Sequence, residues 1–198
     1  MDALRKPEHV DMDVLSNLGP LAALAGTWEG DQGLDVSATP AGPEETRFRE
    51  QMVFEPMGPV INGAQVLYGL RYTTTAWPEG CDDAFHEEVG YWAWEPATGS
   101  VTRCFMVPRL VTIMAGGTAA PDARAFQLEA VAGSGTYGIL SNPFLDKGAR
   151  TERYDLSVSL SDDGALTYEE DTVLRFAGMP DVFHHTDRNT LRRTAGPA

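Results

Sequence analysis

Along most of the chain, apolar positions alternate with polar ones, and the alternation stops at Gly, Pro, Asn or Asp. That is the mark of extended strands joined by turns. Thr46-Arg-Phe-Arg-Glu-Gln-Met-Val-Phe54 places Phe48, Met52 and Phe54 on one side of a pleat, because successive side chains of a strand point to opposite faces. β-branched and aromatic residues crowd positions 65–77 and 85–94, and Pro96-Ala-Thr-Gly99 turns the second of these into a return strand over 101–107. Residues 110–115 run into Gly116-Gly117, 126–131 make a short strand, and Tyr154, Leu156, Val158 and Leu160 alternate before the turn Ser161-Asp-Asp-Gly164. Strands over 166–176 and 182–191, separated by Gly178-Met-Pro180, complete the series.

This predicts about ten strands with no helical pattern between them, which excludes a parallel α/β sheet. Short connections favour an up-and-down meander, and closing it removes the exposed edges that an open sheet must protect. The predicted fold is therefore all-β, a closed antiparallel up-and-down β-barrel with room inside for a small ligand. Ahead of it, Val14, Leu15, Leu18, Leu21 and Leu24 recur at roughly helical spacing, interrupted by Gly19-Pro20, which predicts a short broken N-terminal helix. Residues 1–12 are polar and aperiodic and are expected to form a flexible or loosely docked tail, leaving 13–198 as a single β-barrel domain. Residues 133–150 have weak periodicity and are expected to form a long loop or cap.

Composition narrows the partners. The 198 residues carry 15 Lys+Arg against 29 Asp+Glu, a formal charge of -14. Such a surface repels a phosphate backbone or an anionic membrane, so neither nucleic acid nor membrane is the expected partner. Without a charged leader segment or a long apolar run, the expected location is cytoplasmic. Two cysteines, Cys81 and Cys104, suit free thiols in a reducing compartment better than a disulfide framework or a zinc site.

The candidate chemistry lies in the histidines. Period-two alternation puts His86, Glu88, Gly90, Trp92 and Trp94 on one face of their strand. His184 and His185 are adjacent, so one of them faces inward, able to ligate a metal or hydrogen-bond a polar ligand; the alternative is a hydrogen-bonded histidine at a strand end. On the face of His184, an inward Arg188 would anchor a carboxylate or phosphate, whereas an outward one is a solvated charge. Arg103 and Arg153 raise the same question. The acidic run Glu169-Glu-Asp171 reads as a solvated strand edge, and Trp28, Trp77, Trp92 and Trp94 read as barrel core. No phosphate loop, His-Glu-x-x-His or nucleophile elbow is present.

Four segments carry a family resemblance. Leu24-Ala-Gly26-Thr-Trp28-Glu-Gly30 is similar to the Gly-x-Trp-x-Gly signature of lipocalin-like and fatty-acid-binding-protein-like barrels. With Phe48-Arg-Glu50 through Phe54, the His86-x-Glu-x-Gly90-Tyr91 segment and a histidine-bearing last strand ending Leu191-Arg-Arg193, the chain resembles the nitrobindin-like haem-binding barrels over roughly Leu18 to Arg193. Met106-Val-Pro108-Arg-Leu110 stands where that family has a pocket-lining Ala-x-Pro-Thr-Gly. The resemblance implies a ten-stranded barrel that holds ferric haem through a last-strand histidine, here His185, with His86 near the pocket, and relatives that react with nitric oxide or isomerise peroxynitrite.

The leading expectation is a binding protein for a small apolar or amphipathic molecule, with His86, Trp92, His184, His185 and Arg188 as the candidate ligand contacts. The alternative is a haem protein with His185 on the iron, an enzyme of the peroxynitrite-isomerase type. A non-catalytic interaction scaffold is the third option, and a homodimer stays open.

Overall fold

The computed structural model describes residues 3–197. A short helix α1 (Val14–Asn17) is capped by Asp13, whose carboxylate accepts from the Ser16 amide at 3.2 Å. A 3-10 turn over Gly19–Leu24 follows. The break falls at Gly19 because its φ is +55° and a Cβ there would lie 2.5 Å from the Trp94 ring, a position only glycine fills without strain. The turn buries Leu18, Leu21 and Leu24. Ahead of it, the Ala3 carbonyl accepts from the Ala64 amide, and the Asp11 carbonyl from the Tyr68 hydroxyl at 2.7 Å.

The strands are β1 (Gly26–Thr39), β2 (Gly42–Asn62), β3 (Gln65–Pro78), β4 (His86–Glu95), β5 (Ser100–Val107), β6 (Val111–Thr118), β7 (Ala125–Val131), β8 (Ile139–Leu140), β9 (Ala149–Leu160), β10 (Leu166–Phe176) and β11 (Phe183–Ala195), with helix α2 (Pro143–Gly148) between β8 and β9. All pairings are antiparallel. Each strand meets its neighbour in sequence except at β8, and β1 pairs with β11, so ten strands close into a ring. The two-residue β8 lies outside that ring, paired with the start of β6 where β6 and β7 splay apart.

Two segments differ from the alternation reading. β1 is a full strand of 14 residues, although the pattern did not delimit it: a register shift between Gly30 and Gly33 breaks its phase against β2. The 133–150 segment is a cap only in part, since it also supplies β8, α2 and the buried Leu145.

Along the axis the interior is layered. Trp28, 1% exposed, closes one end with Leu24, Trp94, Val101, Leu166 and Leu191, its Nε1 donating to the Leu24 carbonyl at 2.7 Å and its ring lying under Arg193. Phe54, Tyr72, Trp92 and Phe126 pack edge-on or stacked above this plug. Higher still the same strand faces turn polar, and beyond that they open into a cavity. Trp77 sits outside the core, with the Arg49 guanidinium 4.3 Å over its ring.

Candidate functional site

Arg103 on β5 is in phase with Val101 and Phe105 and therefore points into the barrel, where it is 2% exposed. Its Nε donates to the Tyr72 hydroxyl at 3.1 Å, one terminal nitrogen reaches Tyr154 and Glu170, and the other reaches Glu88. The Phe105 ring lies 4.2 Å from the guanidinium carbon. Glu88 accepts in addition from Tyr72 at 2.9 Å and meets His86 Nε2 at 3.2 Å. Burial pushes the Glu88 carboxyl up, but Arg103, His86 and Tyr72 overcome it and hold it at about 2. Burial opposes the charge of Arg103 as well, and Glu170 and Glu88 raise its pKa well above the usual range. For His86, burial lowers the pKa and the hydrogen bond to Glu88 reverses that, for a net rise. Burial raises the phenols of Tyr72, Tyr154 and Tyr168 well above their ordinary value.

A second polar centre sits on the facing wall. Glu50 of β2 is buried in phase with Phe48 and Met52 and accepts from Tyr168 at 2.8 Å and from Asn189 at 3.1 Å. Burial dominates and pushes its carboxyl up to about 7, against those two hydrogen bonds.

The third centre joins β1 to β11. Asp35 stands directly opposite Asp187 in the ladder, and His185 lies two residues from Asp187 on the same face. His185 Nε2 meets Asp35 Oδ1 at 2.6 Å. The carboxyl group of Asp187 has no hydrogen bond or ion pair among the described residues; burial first, then Glu170 and Glu50, raise it well above the ordinary range.

These centres line one cavity of about 760 Å³. Its outer wall is apolar, with Phe48, Phe105, Val107, Ile113, Leu174 and Phe176, and Leu145 of α2 closes one side. Pro108 and Arg109 sit at the rim. Asp35, Glu50, Glu88, Glu170 and Asp187 line it, against Arg103 and the imidazoles of His86 and His185.

The candidate residues thus separate. His86 and His185 line the cavity, and Trp92 lies beneath it, buried, with its Nε1 lacking a hydrogen-bond partner among the described residues. His184 points outward and pairs with Asp171 at 2.7 Å, because adjacent strand residues take opposite faces. Arg188 shares that outer face and is exposed, opposite Leu34 and Glu169. Neither His184 nor Arg188 reaches the cavity. The acidic run on β10 is not wholly a solvated edge: Glu170, its middle member, turns inward onto Arg103. Arg153 stays outside with Asp155 and Glu129. Asp35, Glu50, Glu170 and Asp187 were missed by sequence reasoning. Their signal was a charged residue at the buried phase of a strand, as Glu50 is with Phe48 and Met52.

A closed ten-stranded barrel with an internal cavity that opens at one end and is polar at its inner end is a ligand-binding barrel. The chain belongs to the THAP4-like, heme-binding beta-barrel domain family, whose model matches residues 17–193. No curated protein sequence matches it significantly. Among solved structures, Rv2717c from M. tuberculosis superposes with a TM-score of 0.63 at 22% identity, covering 92% of this chain and 98% of that one; this likeness shows the fold.

Membership supports haem as a candidate cofactor. The volume of the cavity and the inward His185 agree with it, but the donor set in the present arrangement does not fit. A ring nitrogen and a carboxylate oxygen 2.6 Å apart share a proton, so the Nε2 lone pair that an iron needs is engaged. An iron on His185 would also have Asp187 beside it, unpaired, under an apolar macrocycle, where a buried carboxylate is costly. No chemistry of this site is therefore routed through haem iron.

Proposed function

We propose that this barrel binds a small amphipathic molecule whose cationic or hydrogen-bond-donating head lies among the inner carboxyl groups and whose apolar body lies against Phe48, Phe105, Ile113 and Phe176. The observation that carries this reading is the surplus of carboxyl groups over cations in the cavity. Arg103 is already engaged by Glu88 and Glu170, so Glu50 and Asp187 have no cation of the protein within bonding distance. A ligand amine supplies it, and the burial of Glu50 makes such a charge-assisted bond strong. An anionic head would find no unpaired cation among these inner groups, since Arg103, His86 and His185 are each held by a carboxylate.

Calorimetric titration with pairs of matched size, an arylalkyl amine and the corresponding carboxylate, tests the reading. Preferential binding of the amine, weakened in Glu50→Gln, is the expected result. Equal or tighter binding of the carboxylate would discard it.

Haem is a second reading, favoured by family membership and by the inward direction of His185. It requires Asp35 to release Nε2, and a Soret titration of the type described below decides it.

A further inference from the structure

We infer that Asp35, His185 and Asp187 form a site for a single first-row divalent cation on the cavity wall. One ligating atom from each of the three lies within 4.8 Å of the others. The site is made by strand pairing: Asp35 of β1 is opposite Asp187 of β11, and His185 follows on the same face two residues away. Modest side-chain rotations bring the three atoms onto one ion, because the backbone already holds their Cβ atoms together.

Asp187 points independently to a ligand. It is surrounded by protein except toward the cavity, yet its carboxyl group has no hydrogen bond or ion pair among the described residues. Asp187 is partly buried, and its open side faces the cavity. Like charges directly across a ladder are also unfavourable, and here two carboxyl groups face each other. The groups that approach Asp187 from the other strands, Glu50 of β2, Glu88 of β4 and Glu170 of β10, are acidic too. His185 Nε2 and one oxygen of Asp35 are hydrogen-bonded at 2.6 Å; a cation that takes both atoms replaces that bond by ligation, and the carboxylates of Asp35 and Asp187 balance its charge, which a haem iron bound to the imidazole alone would not allow.

The donor set selects the ion. One imidazole with two carboxylates suits Mn²⁺, Fe²⁺, Co²⁺ or Zn²⁺, and no thiolate is present to draw Cu⁺. Three protein ligands on one wall leave the remaining coordination positions facing the cavity, where water or a ligand heteroatom completes the shell. This site does not depend on the organic molecule proposed above, and it competes with haem for the same nitrogen of His185.

Metal-stripped protein titrated with Mn²⁺, Co²⁺ and Zn²⁺ tests the inference, read by calorimetry and, for Co²⁺, by its visible ligand-field absorption. One equivalent bound in the wild type is the expected result. Asp187→Asn and Asp35→Asn, with circular dichroism unchanged, should weaken it by at least the roughly 10- to 100-fold that loss of an outer-shell partner costs, while His184→Gln on the outer face leaves it intact. The two aspartate variants guard against one failing to fold. Absence of stoichiometric binding by all three ions, binding undiminished in the folded aspartate variant, or loss in His184→Gln would each overturn it.

Discussion

Arg103 on β5 and Glu170 on β10 form an ion pair across the interior of the barrel, joining strands that are not neighbours in the sheet. Glu88 holds the other side of the same guanidinium. Removing a single member of a buried ion network leaves the others charged and unpaired, which is costlier than removing the network whole. Arg103→Met should therefore destabilise by about 3–5 kcal/mol, and the triple variant with Glu88→Gln and Glu170→Gln should regain most of that. Urea midpoints measure both. A loss below ~1 kcal/mol in the single variant, the range of a surface pair, would show that the network does not tie the barrel.

Glu50 makes stability depend on pH in an unusual direction. Its folded carboxyl titrates at about 7, above the ordinary 4.5, so the folded state binds more protons than the unfolded chain between those values. Stability must fall as pH rises through that window, by up to ~3 kcal/mol at about 1.4 kcal/mol per unit. Glu88 acts oppositely: held at about 2, it contributes stability above 4.5 that disappears as pH falls toward 2. Maximum stability is expected at mildly acidic pH. Glu50→Gln should flatten the alkaline arm and be more stable than the wild type above pH 7; an unchanged profile by thermal denaturation would contradict this assignment.

Ferric haem added to the wild type should give the broad absorption of loosely associated haem, because Asp35 engages the His185 nitrogen. Asp35→Ala frees that nitrogen and should sharpen the Soret band, and adding His185→Ala should remove the gain. A sharp wild-type band lost in His185→Ala would instead establish His185 as the iron ligand.

Trp28 closes the barrel by filling its narrow end and hydrogen-bonding the turn beneath it. Trp28→Ala leaves a cavity that the rigid ring of strands cannot collapse and should cost about 3–5 kcal/mol, measured by denaturant unfolding. A cost within ~1 kcal/mol would mean that the N-terminal turn closes the end without it.

Much of this was legible in the chain. Tyr154, Leu156, Val158 and Leu160, or His86 through Trp94, declare their strands because a pleat repeats every two residues and no bulge interrupts the alternation there. Turn residues marked the hairpins, and together with the tryptophan signature they led to a closed barrel. The cavity carboxylates were harder to see, since polar side chains are normally assigned to solvent. Glu50, Glu88, Arg103 and Glu170 each occupy the buried phase of a strand, where a charge is tolerated only if another strand brings its partner.

The direction of His185 shows where the chain's own information ended. The sequence by itself determined that His184 and His185 must part, because adjacent residues of a strand cannot share a face. Only the tertiary structure decided which one enters the cavity, through the pairing of β11 with β1 and β10. Register shifts, such as that between Gly30 and Gly33, reset the phase of a strand and are invisible to a count along the chain. The same pairing set Asp35, 150 residues away in sequence, against His185 and Asp187: a site assembled from two ends of the chain exists only once the ring has closed.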